Sequence, residues 1–284
     1  MQNRFSCLNF LFLLFFLLMI QSVPLAFAQK FTGFYPDYDA ALKASWEKRQ
    51  NMMIDFYTAT CFPSKQLDQE VYRNKAFLPY TDSIICVKVD GESPEGRPLV
   101  ARFGITGYPT VLFVDPDGQE LERLTAFIPL DPFLENLKRI LSGNTIPKME
   151  SRFLYRRNYH DLYILTLYYV RNVFNKDKLD RYFKAFRKLD PSYSKDSTRV
   201  LTRYVLQKEL RMGISSVTGE MASYVFQVPE GNSYKLAIQL TDYYLQTGDP
   251  EEAWSFFSDY YLIREDKSAI YGYFEDLKRK TGHK

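Results

Sequence analysis

The sequence has few of the residues that cross-link a small fold or bind a metal. It contains three cysteines and two histidines among 284 residues. Such numbers exclude a disulfide-rich scaffold and a multi-histidine metal site. We expect both histidines, His160 and His283, at the surface. A strong charge bias is also missing: the net charge is +3, too small for a nucleic-acid-binding protein.

Long apolar runs are absent too, except near the N-terminus. Arg4 precedes an apolar block from Leu8 to Ile20, and Ala26-Phe27-Ala28 has the small-x-small pattern of a signal-peptidase site. We therefore predict a signal peptide over residues 1–28 and an exported protein, periplasmic or otherwise. An uncleaved anchor is the alternative, although the block is short for a membrane span. No membrane span is expected after signal cleavage.

The remaining chain has the composition of a globular protein with two domains. Hydrophobic residues make up 46% of the sequence and charged residues 25%, which argues against disorder. Residues 29–143 alternate β-type and helical patterns. Residues 144–150 are predicted to be a linker, and residues 151–284 to be a helical domain.

The most informative stretch begins with the β-type apolar run Met52–Tyr57 and leads into a helical pattern. Pro63 suits the first helical turn, where its missing N–H breaks no hydrogen bond. Cys61 is thereby predicted to lie at a helix N-terminus, where free N–H groups and the helix dipole favour a thiolate. The Ser64 hydroxyl and nearby backbone N–H groups can donate further hydrogen bonds to it.

Three motifs in this order resemble the thioredoxin superfamily, particularly the thioredoxin-like domains of bacterial periplasmic thiol:disulfide interchange proteins. They are Asp55-Phe56-Tyr57, Cys61-Phe62-Pro63-Ser64-Lys65, and Gly107-Tyr108-Pro109-Thr110 followed by a β-run. The resemblance covers roughly residues 31–142. It implies an α/β thioredoxin fold, with a mixed sheet flanked by helices, and Cys61 as nucleophile. It implies no cofactor, and protein thiols or disulfides as partners.

The resemblance also assigns two residues to proton handling. Asp55 stands where the family keeps a buried carboxylate, and Lys88 matches the lysine that pairs with it. A buried carboxylate needs such a partner, because a lone buried charge is unfavourable by several kcal/mol. The alternative interpretation is an ion pair that only supports the fold.

Substrate contacts are implied as well. By resemblance, Pro109 is a cis-proline, and Tyr108 and Pro109 flank Cys61 and offer backbone hydrogen bonds to an extended substrate. Thr60 and Phe62 border Cys61 and complete the predicted substrate surface. Thr60 departs from the family, which usually has tryptophan there.

A second departure is Ser64, which occupies the position of the family's resolving cysteine. A hydroxyl cannot attack a mixed disulfide, so a Cys61 adduct must wait for an outside thiol. This favours exchange, isomerisation or capture of client cysteines over net oxidation. The alternative is a protein without redox activity that acts as a binding module. A bridge from Cys61 to Cys86 is possible on counting alone, but Cys86 lies in an apolar strand and is expected to be inert packing.

Beyond Gly143 the pattern is helical, with a first helix predicted from Ser151 to Phe174. The segment Gly248-Asp249-Pro250-Glu251-Glu252-Ala253 is similar to the start of the second helix in tetratricopeptide repeats. Two hairpins, at 172–191 and 246–266, resemble each other. We therefore predict an all-α, repeat-like domain that binds a protein partner or sets substrate specificity.

Overall fold

A computed structural model describes residues 33–228 and 233–283. The chain divides into two compact units, and the second begins at Asn144. The predicted signal peptide, residues 1–28, lies outside the described part. Within that part, no helix has the length and apolar character needed to span a bilayer.

The first unit is built on a mixed five-stranded sheet with the order β1-β3-β2-β4-β5. The strands β1 and β2 run parallel to β3, while β4 runs antiparallel to β2 and β5. Their bounds are β1 (Phe34–Tyr35), β2 (Met52–Tyr57), β3 (Ile85–Asp90), β4 (Thr110–Val114) and β5 (Glu120–Thr125). With helices flanking it, this sheet is the thioredoxin fold that the sequence predicts.

In the described part of this unit, four α-helices accompany the sheet: α1 (Tyr38–Lys48), α2 (Phe62–Gln66), α3 (Gly96–Arg102) and α4 (Leu130–Leu141). The helix α2 continues as a π-helical segment over Leu67–Tyr72, and a 3-10 helix spans Leu78–Asp82. Asp37 caps α1 by accepting a hydrogen bond from Ala40 N–H at 2.8 Å. The helix α4 begins at Leu130, with Pro129 at its N-cap and Asp131 in its first turn.

Both faces of the sheet are buried, and the alternation along β2 decides what each face carries. Met52, Ile54 and Phe56 enter the core on one face, whereas Met53 joins the core on the other, together with Cys86 and the residues after α2. Side chains two residues apart share a face of a strand. Asp55 therefore lies on the face that the Cys61 helix covers.

The second unit is helical throughout its described elements. These are α5 (Ile146–Phe153), α6 (Tyr159–Arg171), α7 (Lys176–Arg187), α8 (Asp196–Arg211), a 3-10 turn (Ser215–Val217), α9 (Thr218–Gln227), α10 (Ser233–Gln246), α11 (Pro250–Ile263) and α12 (Tyr271–Lys280). Two apolar cores hold these helices, one around Leu162 and Phe186 and one around Leu240 and Phe257. A helical-repeat architecture remains a prediction.

Two sequence predictions at the start of this unit are wrong. Residues 144–150 do not form a linker, because α5 begins at Ile146 with Pro147 in its first turn. The predicted helix from Ser151 to Phe174 is two helices. The break occurs because Asn158 is extended and its side chain accepts the Asp161 N–H at 2.8 Å, which starts a new helix.

Candidate functional site

Cys61 is the N-cap residue of α2. Its backbone is extended and its Sγ accepts a hydrogen bond from the Ser64 N–H at 3.4 Å, within the range that sulfur acceptors allow. Pro63 lies in the first turn, as predicted. The side chain is partly exposed and the thiol is free. The sulfur thus combines access to solvent with a backbone donor at the positive end of a helix.

Ser64 is oriented differently from the expectation. Its side chain is buried and its hydroxyl oxygen has no hydrogen-bond partner in the structure. The contact to Cys61 Sγ comes from the backbone N–H of this residue and not from the hydroxyl. Any residue other than proline can supply that donor, so the serine side chain is not required for it.

Asp55 and Lys88 are brought together beneath α2, as the resemblance implies. They are paired across β2 and β3, and Lys88 Nζ lies 3.8 Å from Asp55 Oδ2. That distance is an ion pair but too long for a hydrogen bond. Both Asp55 oxygens are buried, and neither receives a hydrogen bond from any residue that the structure describes.

This environment sets the charge state of Asp55. Complete burial raises the pKa of its carboxyl to about 7, with a smaller increase from Asp68 and opposing effects from Lys88 and from the Tyr72 hydroxyl. Tyr72 lies near the carboxyl, but the pair does not meet hydrogen-bond geometry. A carboxyl with this pKa holds a proton part of the time at neutral pH, so it can take up or release one.

Asp68 is the member of this cluster that sequence reasoning missed. Lys88 Nζ donates to Asp68 Oδ1 at 2.7 Å, closer than its approach to Asp55. Arg73 also pairs with Asp68, at 3.1 Å. The available signal was the spacing: Asp68 follows Cys61 by seven residues, two helical turns, and so lies on the same side of the helical segment.

Lys88 is further fixed by two aromatic rings. Its ammonium lies 4.9 Å from the ring centre of Tyr57 and 5.6 Å from that of Tyr72. Cation–π contacts of this kind stabilise the charged amine. Lys88 therefore contacts both rings while its hydrogen bond goes to Asp68.

The Tyr108-Pro109 peptide bond is cis, which confirms that prediction. The Pro109 carbonyl accepts the Ala126 N–H at 3.0 Å, so it is already occupied. The backbone N–H and C=O of Tyr108 have no partner in the described ranges. The Tyr108 side chain packs over Gly91, where a Cβ would lie 2.2 Å from the tyrosine hydroxyl. Tyr108 thus keeps its backbone groups available on a fixed loop.

Thr60 and Phe62 lie on either side of Cys61 in the chain and are exposed. Phe62 is 69% exposed, the largest value among the described aromatic residues of this unit. An exposed aromatic ring beside a reactive thiol offers apolar contact area to a bound polypeptide.

Cys86 differs from Cys61 in its exposure to solvent. It is fully buried in β3, and burial raises the pKa of its thiol to about 12. Both cysteines are free, so the structure has no Cys61–Cys86 bridge. His160 is exposed and His283 is partly buried against Trp254, at 4.4 Å between ring centres. In the described part, no group of three or more metal-binding side chains occurs.

Comparison with known proteins identifies the same unit. Residues 33–116 match the model of a family described as thioredoxin-like. Among curated proteins, the chain is similar to the thiol:disulfide interchange protein DsbD of Haemophilus influenzae, with 28% identity over 93 residues, 31% of this chain and 16% of that protein. The Pasteurella multocida protein of the same name matches at 28% over 94 residues, 32% of this chain and 16% of that protein. The chain thus spans about a sixth of the length of these relatives.

Solved structures also match part of the chain. The C-terminal domain of Neisseria meningitidis DsbD in the oxidised form is 24% identical, with a TM-score of 0.31, covering 37% of this chain and 97% of that one. A thioredoxin from Thermus thermophilus is 25% identical, with a TM-score of 0.35, covering 38% of this chain and 85% of that one. The family match and the sheet order together define the first unit as a thioredoxin-like domain.

Proposed function

We propose that this protein exchanges disulfides with client proteins, or captures their cysteines, through the single nucleophile Cys61. The observation that carries the proposal is the partly exposed Cys61 thiol at the N-terminus of α2, with its sulfur bonded to a backbone N–H. The curated relatives are thiol:disulfide interchange proteins by name. An exported protein would meet disulfide-bonded clients, because disulfides persist outside the reducing cytosol.

The chemical step is one thiol–disulfide exchange. The Cys61 thiolate attacks one sulfur of a client disulfide, forming a Cys61–client disulfide while the other client sulfur leaves as a thiolate and takes a proton. Ser64 cannot break the new bond. A thiol of the client or of a small molecule must therefore attack it and restore Cys61, with no net oxidation or reduction of the protein.

Asp55 and Lys88 are assigned to proton handling in this step. With a pKa of about 7, the Asp55 carboxyl can accept the proton that Cys61 loses and return it later. Lys88 limits the electrostatic penalty of the charged carboxylate, at 3.8 Å. These roles require that Asp55 titrates in the working pH range and that water links its carboxyl to Cys61 Sγ.

The client is proposed to lie in an extended conformation beside Cys61. The free backbone N–H and C=O of Tyr108 can pair with it as one strand pairs with another. Pro109 fixes the loop, and Thr60 and Phe62 offer exposed contacts on the other side. Specificity for particular clients is assigned to the helical unit.

A coloured disulfide reagent tests the proposal. Cys86→Ala protein that begins at residue 29, and so lacks Cys7, is mixed with a cysteine peptide activated as its 2-thiopyridyl disulfide, and the released thiopyridone is measured by absorbance. We expect one thiopyridone per chain at pH 7, at least tenfold faster than from an unstructured cysteine peptide. The Cys61→Ala, Cys86→Ala protein should release none. A rate equal to that of the unstructured peptide would sink the proposal.

The second candidate is a non-catalytic binding or scaffold module made of the thioredoxin fold and the helical repeats. One observation favours it: the hydrogen bond of Lys88 goes to Asp68, at 2.7 Å, as in a structural ion pair. Partners held equally by wild-type and Cys61→Ala protein, and not released by reductant, would support this candidate. Partners that need Cys61 and leave with reductant would support the first.

A further inference from the structure

A cleft of about 610 Å³ runs along α7 in the helical unit. One wall is a face of α7 from Lys176 to Lys188, and the other comes from α8, the 3-10 turn and α9. The volume is within the range of about 300–1,000 Å³ that is typical of ligand sites. Twelve residues of α-helix extend about 18 Å, the length of five or six extended residues.

Each carboxylate in the cleft has a cation. Lys176 lies 3.2 Å from Glu209 and also pairs with Asp180. Arg187 faces Glu220 at 3.8 Å. Burial raises the pKa of both glutamates, with opposing effects from those cations. Lys176 serves two of the three carboxylates, so these ion pairs leave one negative charge in excess, which the two remaining lysines of the cleft outweigh.

Two cations are left over. Lys184 and Lys188 are exposed, line the cleft and make no ion pair to any residue that the structure describes. They are one turn apart on α7, about 6 Å along the helix axis. Side chains two apart on one side of an extended peptide are separated by nearly the same distance, about 6.6 Å.

Apolar residues also line the cleft. Phe183 and Val217 are almost fully buried in its walls, at 6% and 3% exposure, and Pro191 is exposed. The wall here is rigid, because the Arg187 guanidinium stacks 3.5 Å from the Tyr193 ring centre and donates to the Asp190 carbonyl at 3.1 Å. A preformed wall lowers the entropy lost on binding.

We propose that this cleft binds a short extended peptide segment in which acidic residues alternate with apolar ones. Acidic side chains two apart meet Lys184 and Lys188, and the apolar side chain between them points to the opposite wall at Val217. The proposal is independent of Cys61 and of redox activity.

Fluorescence anisotropy tests it on the full chain. The probe is a fluorescein-labelled octapeptide of alternating glutamate and leucine, and its partner probe has glutamine in place of glutamate. We expect saturable binding of the glutamate probe and at least tenfold weaker binding of the glutamine probe. No saturable binding of the glutamate probe overturns the proposal.

Matched charge reversals locate the site. The Lys184→Glu, Lys188→Glu double variant should weaken binding at least tenfold. The control is the Lys148→Glu, Lys235→Glu double variant, which changes two exposed lysines outside the cleft and alters the total charge by the same amount. Its affinity for the probe should stay within twofold of that of wild type.

Equal losses in both variants would mean unspecific charge attraction, and tighter binding of an equally charged oligonucleotide would mean a nucleic-acid surface. Either outcome overturns the proposal. Circular dichroism checks that both variants are folded.

Discussion

The two units each place a carboxylate next to a lysine, with opposite consequences. In the thioredoxin-like unit, Asp55 is fully buried, receives no hydrogen bond and has Lys88 at 3.8 Å, and its pKa rises to about 7. In the helical unit, one oxygen of Glu150 accepts hydrogen bonds from Lys178 at 2.9 Å and from two tyrosine hydroxyls, and the pKa of Glu150 falls below its ordinary value.

Hydrogen-bond donors therefore decide whether the pKa of a partly or wholly buried carboxyl rises or falls. Burial raises the pKa of both groups. At Glu150, the hydrogen bonds from Tyr169, Lys178 and Tyr182 outweigh that effect and tie α5 to α6 and α7. At Asp55 no donor does so, and the carboxyl titrates near neutral pH. The arrangement at Glu150 suits a structural contact between helices, whereas the arrangement at Asp55 suits a group that exchanges protons.

The largest effect is expected from Asp55→Asn. Because the folded-state pKa is raised, charging Asp55 destabilises the native state as pH rises from about 4 to 7, and the penalty is complete above pH 7. The asparagine protein should thus be more stable than wild type at pH 8, by about 4 kcal/mol at most. Lys88 keeps Asp68 as a partner in this variant. Urea unfolding at pH 4 and 8 measures the difference.

The comparison of the two pH values is the control. Wild type and Asp55→Asn should be nearly equal in stability at pH 4, where Asp55 is protonated in the folded protein. A stability difference of the same size at both pH values would mean that Asp55 does not titrate between them. The proton-handling role would then be untenable.

A smaller effect of opposite sign is expected from Glu150→Gln. The amide oxygen still accepts hydrogen bonds, but the charge that pairs with Lys178 is lost, so the helical unit should lose about 1–2 kcal/mol of stability at pH 7. The folded-state pKa is lowered. The contribution of the charge is therefore complete above the unfolded value of about 4.5 and is lost as pH falls through the folded value.

Far-UV circular dichroism during urea unfolding at pH 7 and pH 3 measures this loss. The neighbouring exposed residue Lys148, changed to Gln, is the control for altering a surface charge on α5. A Glu150→Gln protein as stable as wild type at pH 7 would show that the tyrosine hydroxyls hold the helices without the charge.

Sequence reasoning reached the parts of the site that depend on local pattern and failed where packing decides. The run Met52–Tyr57 predicts a buried strand that contains Asp55, and the family resemblance implies its pairing with Lys88. Asp68 was missed because its contact with Lys88 depends on how the π-helical segment lies over the sheet. The sequence predicts a linker where α5 begins, because Pro147 suggests a loop. Proline also suits a first helical turn, and that is its place here.

The smallest effect is expected from Ser64→Ala, and it separates backbone from side chain at Cys61. The Ser64 hydroxyl is buried without a partner, while its N–H bonds the sulfur at 3.4 Å and is kept by alanine. The alkylation rate of Cys61 by iodoacetamide at pH 7 should change less than twofold, and stability should stay the same or rise by a few tenths of a kcal/mol, about the gain from removing an unpaired hydroxyl. Ser64→Pro is the informative contrast, because it removes the N–H and should slow alkylation. If alanine alone slowed the reaction tenfold, the hydroxyl must turn to the sulfur in solution, and the thiolate would depend on the side chain that replaces the resolving cysteine.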